Sequence, residues 1–415
     1  MGKQPHVLMN SRGLSSGAVI ASILCIGLST ALATEWSGFR GGKTAPSSSD
    51  ASPPIEWSDE SGVAWKAKLP GEGFSGPIVT KDLVVVTGNS GYGNDRLHVV
   101  AFDRSTGEER WHRQFWATGR TTTHREMRVA TPTPVTDGER IFAFYSSNDL
   151  IGLDLDGNLL WYRGLTYDFP NASNSLGMSS SPVLSDGVLI AQVENDAESF
   201  AVGVDPTDGT TRWKIDRPRK ANWSSPLVIP GTAQTPELVI LQSGDRVDAI
   251  EPKTGTTVWS LDSGASSISS AALVEDVVIL PQSGLTAYRL APDHRSVSEL
   301  WQSSKLSPST MSPVVYKDRV YIINRSGVLT CGNLETGKVE WQIRAGSSAW
   351  GTPVVASDRL YIPGKDGVVR VVDLSGSKGE IVAENDLGEN IHSSPALGDD
   401  AIYFRTDSTL WKIAD

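Results

Sequence analysis

The chain has 415 residues, 39% of them apolar and 20% charged, with 37 basic against 48 acidic side chains and a formal net charge of −11. An acidic balance of this size disfavours nonspecific binding to nucleic acid or to anionic membranes, which needs clustered Lys and Arg. The length alone suggests two or three domains, a prior that a repeated architecture overrides.

The first 33 residues differ from the rest. Lys3 and Arg12 precede an apolar stretch from Ala18 to Leu28, and Ala31-Leu32-Ala33 supplies a small-x-small site. This pattern predicts a signal peptide over residues 1–33, cleaved near Ala33, and a periplasmic or secreted mature protein. The apolar stretch is short and interrupted, and no other stretch approaches the ~20 apolar residues of a membrane span. The mature chain is therefore expected to have no transmembrane segment, retention of the signal as an anchor being the alternative. Loss of Lys3 and Arg12 leaves 35 basic against 48 acidic side chains, a net charge of −13. Cys25 leaves with the signal, so Cys331 has no partner for an intramolecular disulfide. Leu24, where a lipoprotein signal carries a small residue, argues against lipidation of Cys25. Residues 34–61, rich in Ser, Pro and Gly, read as an irregular lead-in.

From about residue 62 the chain repeats a phrase: an apolar run ending near an acidic or amide residue, a turn with Gly, and Trp four residues after the Gly. It occurs with Asp103, Gly107 and Trp111, with Asp205, Gly209 and Trp213, with Glu251, Gly255 and Trp259, and with Asn333, Gly337 and Trp341. A second anchor, a small polar residue followed by Pro, opens a β-rich run at Pro77, Pro134, Pro182, Pro226, Pro313, Pro353 and Pro395, with Ala271-Ala272 in the remaining place. Spacings of roughly 40 to 57 residues are those of four-stranded propeller blades. The template is the unit Ser181–Leu184 (strand A), Val188–Val193 (B), Phe200–Val204 (C) and the strand carrying Trp213 (D), with Asp205 to Gly209 as the C–D hairpin. Trp65, Trp111, Trp161, Trp213, Trp259, Trp301 and Trp341 are expected to dock on the next blade and to find a backbone acceptor for the indole N–H. Cys331 stands where Ala101 and Ala249 stand, a place for a small buried residue.

Eight units start near Phe74, Thr131, Ser179, Trp223, Ile268, Thr310, Trp350 and His392. The seventh has Ile381-Val382-Ala383 instead of its Trp. The eighth ends after strand C, and 63–69 has the pattern of a strand D with no A, B or C before it. The predicted fold is an all-β, eight-bladed β-propeller of four-stranded antiparallel blades over residues 62–415, closed by pairing the N-terminal strand with the C-terminal blade.

Ala101 to Trp111 matches an Ala-x-Asp-x-x-Thr-Gly-x-x-x-Trp docking motif at every named position, and the chain from about Val63 onward resembles the quinoprotein (PQQ)-like propellers. Trp36 to Gly41, Glu56-Trp57-Ser58 and 65–71 also resemble the opening of exported planctomycete-type propellers. This resemblance implies two kinds of relative. One is the pyrroloquinoline-quinone (PQQ) dehydrogenases of alcohols and sugars, with a Ca²⁺-bound quinone on the axis; the other is the BamB type, a non-enzymatic propeller that scaffolds outer-membrane β-barrel assembly. The dehydrogenases carry Gly-Asn-x-Gly-Ala-Glu, whose Glu binds the metal. Here Gly88-Asn89-Ser90-Gly91-Tyr92-Gly93 puts Gly93 in place of the carboxylate, and the adjacent cysteines common in those enzymes are missing. The expectation is therefore no cofactor and no metal, with Asn195, Asp196 and Glu198 as the ligands that the alternative, a PQQ- and Ca-dependent dehydrogenase, would have to use.

Other motifs carry less. Gly71-Glu72-Gly73-Phe74-Ser75-Gly76 fits Gly-x-Gly-x-x-Gly but leads into a strand, with no helix to receive a pyrophosphate. The histidines show no ligand-like pair in sequence, and no Gly-x-Ser-x-Gly elbow occurs. The candidate site is the loop face, where residues before each strand A ring one mouth of the channel: Phe74, Met178, Trp223, Met311, Trp350 and His392, among hydroxyls. The long connections His112 to Ala130 and Arg163 to Met178 lie on that face. The first adds Arg120, Arg125 and Arg128 to a rim for an envelope protein or glycan, or for the acids of a neighbouring loop. The expected function is a binding or scaffold protein of the bacterial periplasm or cell envelope, with a carbohydrate-binding propeller as a further alternative. No nucleic acid is expected, and the oligomeric state is left open.

Overall fold

A computed structural model describes residues 1–2, 35–42, 47–48, 51–58, 61–172 and 174–415. The predicted signal peptide and its cleavage site lie outside the described residues, apart from Met1 and Gly2. The account below concerns the compact unit Ala33–Asp415.

The strands form eight sheets, one per predicted unit. Blade 3 shows why the phrase yields a blade. Strands Val183–Ser185, Val188–Val193, Phe200–Val204 and Thr211–Asp216 pair antiparallel in sequence order. Strands B and C are buried along their whole length because both faces of the sheet pack on neighbouring blades, so they read as continuous apolar runs. Strand D alternates, exposing Arg212 and burying Trp213. Asp205 initiates the hairpin by accepting the Thr207 N–H at 2.8 Å, and Gly209 takes the positive φ of 76° that a side chain would strain.

Each docking Trp is 7–9% exposed and lies against the C–D turn of the following blade. The indole N–H of Trp111 donates to Leu155 O at 2.8 Å, that of Trp213 to Pro252 O at 2.7 Å and that of Trp301 to Leu334 O at 2.7 Å. The turn glycine is placed flat on the ring: a Cβ at Gly107 would come within 2.6 Å of Trp65, and one at Gly209 within 2.7 Å of Trp161. Cys331 is fully buried opposite Trp341, as its repeat position predicts, and burial pushes its thiol up to about 12.

The ring closes as predicted. Strand Val63–Lys68 pairs antiparallel with Thr409–Ile413 and completes blade 8 as its outer strand. Blade 7 has Ala383 in the Trp position, opposite Val371. Blade 8 takes its strands C and D from opposite ends of the chain, so it has no C–D turn for a Trp of blade 7 to dock on.

The lead-in has a defined course that its composition did not announce. Trp36 bridges to Val79 at the end of strand A of blade 1, and Ser37 O accepts the Thr136 N–H of blade 2 at 2.8 Å. A 3₁₀ turn over Phe39–Gly41 then places Arg40, 5% exposed, where it donates to Ala271 O at 2.6 Å and Pro313 O at 3.0 Å in blades 5 and 6. Residues 36–42 thus cross the central channel as a plug. Further on, Ser47–Ser48 pairs parallel with Val355 and Ala356, giving blade 7 a fifth strand. Residues 51–58 then bridge blades 7 and 8, with Tyr361 Oη donating to Pro53 O at 2.9 Å and Trp57 stacked on Phe404 at 5.9 Å.

Candidate functional site

The channel wall is set by the residues just before each strand A. An extended chain alternates its side chains, so at each of these positions one residue faces the axis and its neighbour faces the blade interface. At the ring level the axial residues of blades 2 to 8 are Thr133, Ser181, Ser225, Ser270, Ser312, Thr352 and Ser394, all lining one cavity of about 400 Å³. Each hydroxyl accepts a backbone N–H from the preceding blade, so the blades are joined in sequence around the axis. Gly76 N–H donates to Thr133 Oγ1 at 3.0 Å, Thr133 N–H to Ser181 Oγ at 3.0 Å, and Ser181 N–H to Ser225 Oγ at 2.9 Å. The sequence continues through Ser225 to Ser270, Ser270 to Ser312, Ser312 to Thr352 and Thr352 to Ser394, at 2.9 to 3.1 Å. Blade 1 has Gly76 at this place, where a Cβ would meet Ser394 O at 2.8 Å.

Above this ring the walls are apolar. Phe74, Trp223, Trp350 and His392 line the cavity as the sequence predicts, and Phe39 of the plug also lines it. His392 stacks on Phe74 at 4.1 Å, with Nδ1 3.5 Å from the Asp407 carboxylate. Burial lowers the His392 pKa despite that carboxylate. Met178 and Met311 do not line the cup. Each is 1% exposed within an inter-blade core, Met178 beside Phe200 and Leu189 and Met311 beside Val355 and Tyr321. Strand parity explains this correction: Ser179 and Thr310, one residue away, face the cavity instead.

The two long connections cover the mouth in part. Strand D of blade 1 runs on to Trp116, so the first connection begins at Ala117. Its base is clamped on Asp149, fully buried, which accepts from Thr118 N at 3.0 Å, Ser147 Oγ at 2.6 Å and Tyr162 Oη at 2.9 Å. Its tip is held by His124 N–H donating to Leu176 O at 2.9 Å in the second connection, and by Glu126 pairing with Lys365 of blade 7. His124, Glu126, Met127 and Leu176 therefore line the cup. No repeat position identifies these residues; loop length is the only sequence signal.

The rim arginines divide. Arg128 lies over the Phe74 ring at 4.9 Å and faces the Glu72 carboxylate, an intramolecular pairing. Arg120 is exposed, and the Arg125 side chain is 86% exposed, 3.8 Å from Glu126. On the same two blades Tyr92, Trp116 and Tyr167 are exposed.

Two histidines that the sequence keeps apart come together in blade 1. His112 Nε2 lies 2.9 Å from His98 Nδ1, and His98 Nε2 lies 2.7 Å from Ser90 Oγ. Burial first, then the neighbouring charge of His112, lowers the His98 pKa to about 4.

The residues that a Ca²⁺-bound quinone would need do not fit that group. Asn195 Oδ1 accepts the Ala197 N–H at 2.8 Å, its amide donates to Glu198 O at 2.9 Å, and the Glu198 carboxylate pairs with Lys214 at 3.3 Å. These form a self-contained turn, and none of them lines the cup. Among the described residues, no group of three His, Cys, Asp or Glu is placed to hold a metal, and no helix is long and apolar enough to cross a membrane.

A family model described as "Outer membrane protein assembly factor BamB" matches residues 28–200, 177–296 and 289–410. No curated protein matches the chain by sequence. Among solved structures, BamB from Moraxella catarrhalis is similar with a TM-score of 0.62 at 16% identity, covering 85% of this chain and 97% of its own. A europium-containing methanol dehydrogenase gives 0.71 at 13% identity, covering 92% and 98%. The quinohemoprotein alcohol dehydrogenase from Comamonas testosteroni gives 0.69 at 12% identity, covering 91% and 80%. At these identities the structural likeness concerns the fold alone.

Proposed function

The chain belongs to the propeller family of the outer membrane protein assembly factor BamB, and from that premise we propose that it is an exported, non-enzymatic binding or scaffold protein of the bacterial periplasm or cell envelope. The observation that carries this reading is the asymmetry of the loop face. Both long connections leave from blades 1 and 2, and these blades with their connections carry the exposed Arg120 and Arg125 and the exposed Tyr92, Trp116 and Tyr167. Arginine and aromatic side chains are the types that dominate protein recognition. A local basic rim on a chain of net charge −11 suits an acidic segment of an envelope protein.

The test is crosslinking capture in cells with Arg120→Glu/Arg125→Glu. Arg128 is left in place because it supports Phe74. Loss of the captured partner at unchanged protein level is the expected result, and unchanged capture overturns the reading. Dehydrogenase activity is the rival: a saturable rise in melting temperature requiring both PQQ and Ca²⁺ would replace the scaffold reading, and none is expected. Retention on polysaccharide dependent on Trp223 and Trp350 would favour a glycan instead.

A further inference from the structure

The hydroxyls of the ring act only as acceptors within the protein. Each Oγ receives a backbone N–H from the preceding blade, and among the described residues no acceptor takes the hydroxyl protons. Buried polar hydrogens without an acceptor are rare in folded proteins. Yet Ser181, Ser225, Ser270, Ser312 and Thr352 are at most 5% exposed, and all face the cavity. The floor of the cup is a circle of donors.

A second observation is independent of the first. Two buried arginines bond to the residues beside this circle without lining the cavity themselves, and among the described residues neither is within ion-pair distance of a carboxylate. Arg40 holds the carbonyls of Ala271 and Pro313, the residues that follow Ser270 and Ser312. Arg405 donates to Ser75 O, Ser75 Oγ and Thr87 O, and Ser75 precedes Gly76. The Nε–H of each is buried without a partner. Burial lowers Arg40 to about 10, and lowers Arg405 to about 9 against the opposing charges of Tyr145 and Asp407. The acids nearest the mouth are engaged elsewhere, Glu126 with Lys365 and Asp407 opposite His392.

We propose that the cup binds a small organic carboxylate, its head on the hydroxyl circle with the Arg40 charge behind that circle, and its aromatic or branched apolar body against Phe39, Phe74, Trp223 and Trp350. This rests on reading the cup as a binding site and adds the ligand's chemistry. An acceptor-only anion satisfies donors that no group among the described residues satisfies, and positive charge buried behind the hydroxyl circle attracts it. A cavity of about 400 Å³ is at the lower end of small-molecule pockets.

The test is calorimetric titration of the purified protein with 3-phenylpropanoate, 4-phenylbutanoate and 2-naphthoate, each beside its neutral primary amide. At least one carboxylate is expected to bind saturably at one site, at least tenfold more tightly than its amide. Arg40→Gln should weaken the carboxylate tenfold or more and leave the amide unchanged. Should that variant unfold, the acid and amide pairs on the unaltered protein decide alone. Equal affinity within every pair, or no saturable binding by any of the three acids, overturns the proposal. Arg120→Glu/Arg125→Glu lies outside the cup, so loss of partner capture with carboxylate binding intact, or the reverse, tells the failure of one reading from that of the other.

Discussion

The outer and inner rims of the ring hold the same blades together by different chemistry. On the outer rim, a Trp of one blade lies on the C–D turn of the next, with a large apolar contact and, except at Trp341, whose Nε1 is buried without a partner, one indole hydrogen bond. On the inner rim, a backbone N–H of one blade reaches a hydroxyl of the next. Each series is broken once, at a different interface: the outer one between blades 7 and 8, where Ala383 replaces Trp, and the inner one between blades 8 and 1, where Gly76 replaces a hydroxyl residue. The first gap is bridged by residues of the lead-in, the second by the last residue of strand B of blade 8. Trp57 on Phe404 and Pro53 beneath Tyr361 cover the first; Arg405, donating into Ser75 and Thr87, covers the second. A repeat sequence makes its interfaces alike, and closing the circle needs residues that depart from it.

The largest effect should come from removing the N-terminal closure as a whole. Deleting residues 35–69 takes away the outer strand of blade 8, the plug and the bridge over blades 7 and 8. These contributions together exceed the ~5–15 kcal/mol that separates most folded domains from unfolding. The expected outcome is loss of the cooperative thermal transition by circular dichroism. Next come the aromatic contacts. Trp213→Ala should lower the unfolding free energy by about 3–5 kcal/mol in urea titration, and Trp57→Ala by a similar amount if the bridge is equivalent to a regular dock. A Trp57→Ala loss below ~1 kcal/mol would show that it is not.

Acid sensitivity traced to blade 1 should come from the buried His98. Its folded pKa is about 4, below the unfolded value near 6.5. The unfolded chain therefore takes up the proton first, and stability falls as pH drops from about 6.5 to about 4. The expected loss is about 3 kcal/mol at most, and His98→Gln should flatten that part of the melting-temperature profile. On the inner rim, Ser270→Ala leaves the buried Ser225 N–H without its acceptor and should cost about 1 kcal/mol. A loss as large as that of Trp213→Ala would refute the division of labour between the rims.

What the sequence made legible follows the same line. The Gly-to-Trp spacing and the Ser-Pro anchors placed strands Val188–Val193 and Phe200–Val204 at their observed bounds, because each turn and dock depends on neighbours a few residues away. Phe74, Trp223, Trp350 and His392 were placed at the channel for the same reason. Met178 and Met311 were misplaced because spacing alone does not settle which of two adjacent residues faces the axis. The plug was illegible for another reason: Arg40 meets its carbonyls 231 and 273 residues away, and no local pattern encodes a contact at that separation. The tip of the first connection, with Glu126 held by Lys365 of blade 7, was hidden in the same way.

The smallest effect is the most discriminating. Ala383 sits opposite Val371 at the position where Trp341 sits opposite Cys331 one blade earlier, so restoring the consensus with Ala383→Trp should look like a repair. A docking Trp stabilises only when a C–D turn receives its ring and a carbonyl accepts its N–H, as Leu334 does for Trp301 at 2.7 Å. Blade 8 offers neither, since its strands C and D are Thr409–Ile413 and Val63–Lys68. The added indole would meet the segment around Trp57 and Asn385, whose Oδ1 already accepts the Trp57 N–H at 3.0 Å. Ala383→Trp is therefore expected to leave the urea midpoint unchanged or lower it slightly, within about 0.5 kcal/mol. A gain of 1 kcal/mol or more would mean that the Trp acts by burying area wherever it lies, and that the turn beneath it is dispensable.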